Sequence, residues 1–270
     1  TLVNVAKGLK ENCPEDEAKA LFVLPAYLEK MIANKWFGDK TGQGFYKKVK
    51  SKEGKSEIFA LDLKTLEYRP QQKVKFATLE MTKPIDNLKD RVKILVSGKD
   101  KAGDFYRAIF AGLFQYVSNR IPEIADELYK IDDALKAGFG WDLGPFEYWD
   151  AIGVKEAVGL MEQQKQAPNK WVNEMLAAGH KTFYKVENGA RMFYDVVSKS
   201  YKVIPGTEHF ISLDTIRDTK TIWKNSGVSI IDIGDGILNV EFHTKMNTIG
   251  GEVLAGLNKA VDIAEKDYMG

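Results

Sequence analysis

The sequence predicts a mainly α-helical protein, because three stretches carry apolar residues at helical spacing. Phe105, Ile109, Gly112, Leu113, Tyr116 and Val117 make one stripe, with Gly112 read as a close-approach position. Ile121, Ile124, Leu128, Ile131 and Leu135 make a second, interrupted by Pro122, and Leu21, Leu24, Leu28, Met31 and Ile32 make a third. Strand-like alternation enters only late in the chain, which limits β-structure to appendages.

Taken in order, Leu2, Val5 and Leu9 open the chain at helical spacing. Pro25 breaks the next stripe, because proline in a helix interior removes a hydrogen bond and clashes, so two helices are expected to meet there. Gly38, Gly42 and Gly44 end that run, and a Lys-rich segment from Phe45-Tyr46 through Ser56 reads as an exposed connection. Phe59 to Val96, punctuated by Pro70 and Pro84, reads as an irregular linker with short extended pieces.

Asp104 is the expected N-cap of the long helix, and Gly138 the expected stop of the helix after it. The turn from Gly138 to Pro145 leads into another helix at Pro145, carrying Phe146 and Trp149. Further helices are expected at 154–164 and 169–178. Asn188-Gly189 between Phe183-Tyr184-Lys185-Val186 and Met192-Phe193-Tyr194 marks a tight hairpin. Gly234-Asp235-Gly236 marks a second, followed by a helix on Val253, Leu257, Ala260, Val261 and Ala264.

Composition narrows the function. The 270 residues suggest about two domains at ~150 residues each, and 44% hydrophobic with 11% aromatic is ample for packed cores. Lys plus Arg is 39 against Asp plus Glu 38, a net charge of +1, so nucleic acid is not an expected partner. No apolar run approaches the ~20 residues that span a bilayer, and residues 1–10 lack a signal-peptide pattern, so no membrane insertion and a cytoplasmic location are expected. Cys13 is the single cysteine, and His180, His209 and His243 are the three histidines, which excludes disulfide frameworks and all but excludes cysteine-based zinc sites, so no metal is expected. Both ends read as cut within larger units.

Some residues invite catalytic roles. Glu127, Asp132 and Asp133 could pair as acid and base, but their place at a helix entrance points to capping. Trp141, Phe146, Tyr148 and Trp149 are expected in the core. Cys13, His180 and His209 are expected to pack or face solvent.

An internal repeat is visible. Lys40-Thr41 precedes Phe45-Tyr46-Lys47, Lys181-Thr182 precedes Phe183-Tyr184-Lys185, and an apolar helix with Met31 or Met175 leads into each. Two copies of one helical unit are expected, the first without its opening half.

The run Trp36-Phe-Gly-Asp-Lys-Thr-Gly-Gln-Gly-Phe-Tyr46 resembles the end of the C-terminal helical domain of 3-hydroxyacyl-CoA dehydrogenases. Asn119-Arg120-Ile121, Ile131-Asp132 and Gly138-Phe-Gly-Trp-Asp-Leu-Gly-Pro-Phe-Glu147 resemble its opening half. The 120–126 run and Trp149-Asp-Ala-Ile-Gly153 resemble most the tandem second copy of long fused forms. Leu238 to Ala264, with Glu241-Phe-His-Thr-Lys-Met-Asn247, resembles the start of an enoyl-CoA hydratase (crotonase) domain.

The resemblance implies tandem dehydrogenase C-terminal-like helical domains, a small β appendage and a partial β-β-α crotonase start. The implied layout is the end of the first helical domain (1–50), a linker (51–100), the second helical domain (101–190), a small β extension or linker (191–226) and the crotonase piece (227–270). It implies a parent enzyme of fatty-acid β-oxidation that oxidises 3-hydroxyacyl-CoA with NAD. The NAD-binding Rossmann domain and its catalytic residues would lie outside these residues, so the chain alone is expected to be inactive and to bind no cofactor. Expected partners are acyl-CoA, the Rossmann and crotonase segments of the same polypeptide, and a second copy, since single-copy relatives form homodimers. Asn119 matches a family position facing acyl-CoA, although in a second copy a structural hydrogen-bonding role is favoured. Lys245, close to His243, is the candidate for the CoA phosphates, although a solvated surface lysine is the favoured reading. The competing class is a non-catalytic helical interaction module.

Overall fold

The computed structural model describes residues 2–50 and 54–270, and it divides into two compact units, one up to Glu80 and one from Met81. Eleven α-helices and three three-stranded antiparallel sheets occur among the described residues, so the mainly helical expectation holds.

In the first unit, α1 (Leu2–Asn12) is followed by a 3-10 turn (Lys19–Phe22) and α2 (Ala26–Ala33). Pro25 stands at the N-cap of α2 with ψ 145°, an extended conformation that starts the helix. Of the two helices expected to meet there, the first is therefore a single 3-10 turn. Met31 is the buried residue of α2. A second 3-10 turn (Asp39–Thr41) closes on Gly42 at φ 76°, and the Thr41 hydroxyl oxygen accepts the Phe37 amide at 2.9 Å. The meander β1 (Tyr46–Lys50), β2 (Ser56–Leu61) and β3 (Tyr68–Pro70) follows, in the order β1-β2-β3. Residues 51–53 of the expected Lys-rich connection lie outside the described residues; its flanks are strand. The short helix α3 (Ala77–Thr82) comes next.

The stretch 59–96 is thus not irregular: besides β2, β3 and α3 it contains α4 (Leu88–Ser97). The Asn87 side chain caps α4 by accepting the Asp90 amide at 3.2 Å. The cap of α5 (Lys101–Asn119) is Asp100 and not Asp104, for Asp100 Oδ1 accepts the Ala102 and Gly103 amides, both at 3.1 Å. Asp104 instead pairs with Arg107 at 2.6 Å. The close approach expected at Gly112 is found at Gly103, where a Cβ would stand 2.0 Å from the Gly98 carbonyl oxygen.

The helix α6 (Leu128–Phe139) ends on Gly140 in the left-handed conformation, two residues past the expected stop. The expected α7 (Pro145–Ile152), α8 (Val154–Gln163) and α9 (Lys170–Ala177) are present, with Pro145 in the first turn of α7. Phe114 stacks on Trp149 at 4.6 Å and 8°, and Phe183 meets Phe146 and Trp149 edge-on at 5.0 Å each. Leu128, Met161, Val172 and Met175 complete this core, all fully buried.

A second meander, β4 (Tyr184–Glu187), β5 (Ala190–Asp195) and β6 (Ser200–Val203), turns at Asn188-Gly189 as expected. The region 191–226 also holds α10 (Leu213–Lys220) and β7 (Thr221–Lys224). β7 is the outer strand of the last sheet, β7-β8-β9, with β8 (Val228–Gly234) and β9 (Ile237–Phe242). After a 3-10 turn at Lys245–Asn247, α11 (Gly251–Asp267) packs Val253 and Ala260 on Val228 and Ile230.

The two meanders match at the level of single bonds. Tyr46 is paired with Ala60 across β1 and β2, as Tyr184 is with Phe193 across β4 and β5. The carbonyl of Phe45 accepts the Leu61 amide at 2.9 Å, and that of Phe183 accepts the Tyr194 amide at 2.7 Å. Tyr68 donates its hydroxyl to the Gly44 carbonyl at 2.6 Å, and Tyr201 to the Thr182 carbonyl at 2.5 Å. Lys47 lies over the Tyr68 ring as Lys185 lies over that of Tyr201. Asp62 pairs with Arg69 as Asp195 pairs with Lys202, and Leu66 and Lys199 take the same left-handed turn position.

Candidate functional site

The helices of the second unit are joined through three carboxylates. Asp132, buried within α6, points at the start of α7: its Oδ1 accepts the Phe146 amide at 2.8 Å and its Oδ2 the Glu147 amide at 3.1 Å. These are two of the amides a helix start leaves unsatisfied. Tyr184 adds its hydroxyl to Oδ2 at 2.8 Å. Asp132 therefore caps the following helix and not its own, a correction to the expected capping role. Gly144 is required by this approach, since a Cβ there would stand 2.3 Å from the Asp132 side chain.

Asp150, in α7, performs a similar service for the second meander. Its two oxygens accept the Phe183 amide at 2.7 Å and the Tyr184 amide at 2.8 Å. Burial pushes both Asp132 and Asp150 up to about 7, against the lowering effect of the amides they accept. Glu147 differs. Burial alone would raise it, but the Arg191 guanidinium, the Gly144 amide and Lys136 together hold it below the usual carboxylate range. These acids hold backbone amides, which is positioning work and not proton transfer.

The other candidates fall elsewhere. Glu127 stands at the N-cap of α6 without a capping hydrogen bond and pairs with Lys130 at 2.6 Å, while Asp133 pairs with Lys136 at 3.1 Å. Of the four aromatic residues expected in the core, Phe146 and Trp149 are fully buried and Trp141 and Tyr148 partly so. His180 packs on Tyr194 and Tyr201, His209 is exposed, and Cys13 is partly buried.

Asn119 ends α5. Its Oδ1 accepts from the Asn169 side chain at 3.1 Å, beside Ser118, whose hydroxyl oxygen accepts the Asn169 amide at 2.9 Å. Trp171 donates its indole N–H to the Ser118 carbonyl at 3.0 Å. Asn119 thus joins the end of α5 to the start of α9. Lys245 is exposed on the turn after β9, in the last sheet-and-helix unit, so the two predicted site residues belong to different substructures.

That last unit contains a polar cluster the sequence did not single out as a group. Ser229 Oγ lies 2.8 Å from His243 Nε2, and Glu241 is held by Arg217 at 2.6 and 2.9 Å. Glu241 approaches the same His243 nitrogen, at 3.8 Å, whereas a nucleophile relay needs the acid on the opposite one. A depression of about 230 Å³, lined by Phe210, Ile211, Ile216, Lys220 and Asp232, lies near β8 and is smaller than the ~300–1,000 Å³ of ordinary ligand sites.

The described residues do not fit a nicotinamide dinucleotide. Gly140 ends α6, Gly234 and Gly236 belong to the β8–β9 turn, and all three described sheets are antiparallel, whereas a dinucleotide needs a glycine turn between a parallel strand and a helix N-terminus. Among the described residues no group of three or more His, Cys, Asp or Glu side chains could hold a metal ion. No described helix is long and apolar enough to cross a membrane.

The fold thus holds two matching meanders, each preceded by a helix, and a last β-meander with its own helix. The chain is 39% identical over 271 residues to a "Probable 3-hydroxyacyl-CoA dehydrogenase" of Bacillus subtilis, covering 100% of this chain and 33% of that protein. It is 26% identical over 264 residues to a protein of Rickettsia felis named "Putative fatty acid oxidation complex trifunctional enzyme", covering 97% of this chain and 32% of that protein. A protein of the same name in Rickettsia prowazekii is 24% identical over 250 residues, covering 93% and 30%. The chain spans about a third of the length of these curated relatives. No family model matches it, and no solved structure matches it. The similarities are thus to proteins named for 3-hydroxyacyl-CoA dehydrogenase and for a fatty acid oxidation complex.

Proposed function

We propose that these residues form the helical scaffold of a longer enzyme that oxidises 3-hydroxyacyl-CoA to 3-ketoacyl-CoA with NAD, and that they supply no catalytic residue of their own. The observation that carries this reading is the 39% identity along the whole chain to a protein named as such a dehydrogenase. The matching meanders support the scaffolding role, since the same tyrosine hydroxyl bond and the same lysine over its ring are built twice. The junctions at Asp132 and Asp150 make each piece of the second copy depend on the next. In this reading β8 to α11 begin a hydratase domain fused to the dehydrogenase, and Lys245 meets the phosphates of CoA as a point charge.

The test is oxidation of NADH with acetoacetyl-CoA by the 270-residue chain and by the full-length gene product, side by side. Turnover is expected from the full-length product alone. Turnover by the short chain would place catalytic groups here, and silence from both would favour a helical interaction module.

A further inference from the structure

In the second copy, Phe183 is fully buried and its amide, with that of Tyr184, is held by the Asp150 carboxylate of α7. The first copy repeats the register, the Phe45 carbonyl bond, the tyrosine hydroxyl bond and the cation over its ring. Where the chain enters the meander the two copies differ in burial: Phe45 is 46% exposed and Tyr46 59% exposed. Among the described residues the Phe45 amide has no partner, and the strand register turns the Tyr46 amide away from β2 as it turns that of Tyr184 away from β5. An apolar ring beside two successive unsatisfied N–H groups restricts what can cover it. A purely apolar partner would bury two orphan donors, whereas a carboxylate on an aromatic helix face satisfies both, as Asp150 does beside Phe146 and Trp149.

We propose that the Phe45–Tyr46 edge of the first meander is a docking face for an α7-like helix, bearing aromatic residues and one carboxylate that accepts both amides. The helix comes from the remainder of the longer polypeptide, so the inference rests on the reading above that such a polypeptide exists. The repeat supplies the occupant's chemistry, because the same backbone arrangement in the same chain is covered in just this way.

Hydrogen–deuterium exchange over residues 44–47 tests it, in the 270-residue chain and in the full-length gene product. A pair of charge-assisted bonds gives ~10–100-fold slower exchange, so the Phe45 and Tyr46 amides are expected to be protected to that degree in the full-length product and unprotected in the short chain. Asp150→Ala provides the scale by releasing Phe183 and Tyr184 within the second copy. Equal exchange at residues 44–47 in the two proteins would overturn the proposal. Protection in the short chain that grows with its concentration would assign the face to a second copy and also overturn it. Protection without NADH turnover would uphold the docking face and remove the dehydrogenase reading, while turnover without protection would do the reverse.

Discussion

Asp132 shows how one side chain can decide the geometry of a helix pair. Its two oxygens reach the first turn of α7 only because Gly144 has no Cβ. Gly144→Ala places a methyl where the Asp132 side chain now lies, so either the cap or the α6–α7 approach must give way. Overpacking of this kind costs ~1–3 kcal/mol, and loss of a cap ~1 kcal/mol. Denaturant unfolding is expected to show a loss of ~1–3 kcal/mol, set by whichever gives way; a loss within ~0.5 kcal/mol, typical of surface changes, would mean that the junction yields freely. Asn119 illustrates the opposite case. Its oxygen accepts a hydrogen bond from Asn169, and loss of that bond in Asn119→Ala is expected to cost ~1 kcal/mol of stability. A full-length enzyme that keeps its KM for acyl-CoA in that variant confirms the structural role, and a large rise in KM refutes it.

Among the elements, the meanders carry the clearest prediction, because the same tyrosine closes both. Tyr68 and Tyr201 each donate to the carbonyl of the residue before the phenylalanine that leads into the first strand. Removing either hydroxyl leaves a carbonyl without that donor, so Tyr68→Phe and Tyr201→Phe are each expected to cost ~1 kcal/mol, read as two single variants against the parent. A cost at Tyr201 with none at Tyr68 would mean that the first meander draws no stability from the shared bond. Sequence reading reached the front of this repeat through the Phe-Tyr-Lys runs and Met31 and Met175, but not the Asp62-to-Arg69 and Asp195-to-Lys202 halves, which share little but spacing. Elements announced by local chemistry were legible: Pro145 opening α7, Asn188-Gly189, and the Gly234-to-Gly236 turn. β3 was not, since three residues carry no period and it exists only by pairing with β2. Nor was the target of Asp132, which lies fourteen residues away on the next helix. The cap at Asn87 is written in the sequence, with Asp90 three residues on, but it lies just after Pro70 and Pro84, whose punctuation reads as a linker.

Across the whole molecule the acids divide into two groups with opposite effects on stability. Asp132 and Asp150 are raised to about 7 by burial, so the folded protein binds protons there more readily than the unfolded chain does. Their contribution is fully present below the unfolded carboxylate range and is lost as pH rises toward 7, at up to ~1.4 kcal/mol per pH unit for each site. Glu147, lowered by Arg191 and the Gly144 amide despite its burial, and Glu241, lowered by Arg217, contribute in the other sense, with stability that is lost on acidification. Between pH 5 and 7 the second pair is ionised whether the chain is folded or unfolded and adds little slope, so the first pair governs the trend. Unfolding free energy is therefore expected to fall from pH 5 to pH 7 in the parent. The trend should flatten in Asp132→Asn/Asp150→Asn, which is less stable throughout because an amide cannot accept on both of its polar atoms. Denaturant titrations at pH 5, 6 and 7 decide it. A parent protein as stable at pH 7 as at pH 5 would show that the amides from α7 and β4, together with the Tyr184 hydroxyl, outweigh burial and keep both carboxylates charged in the core.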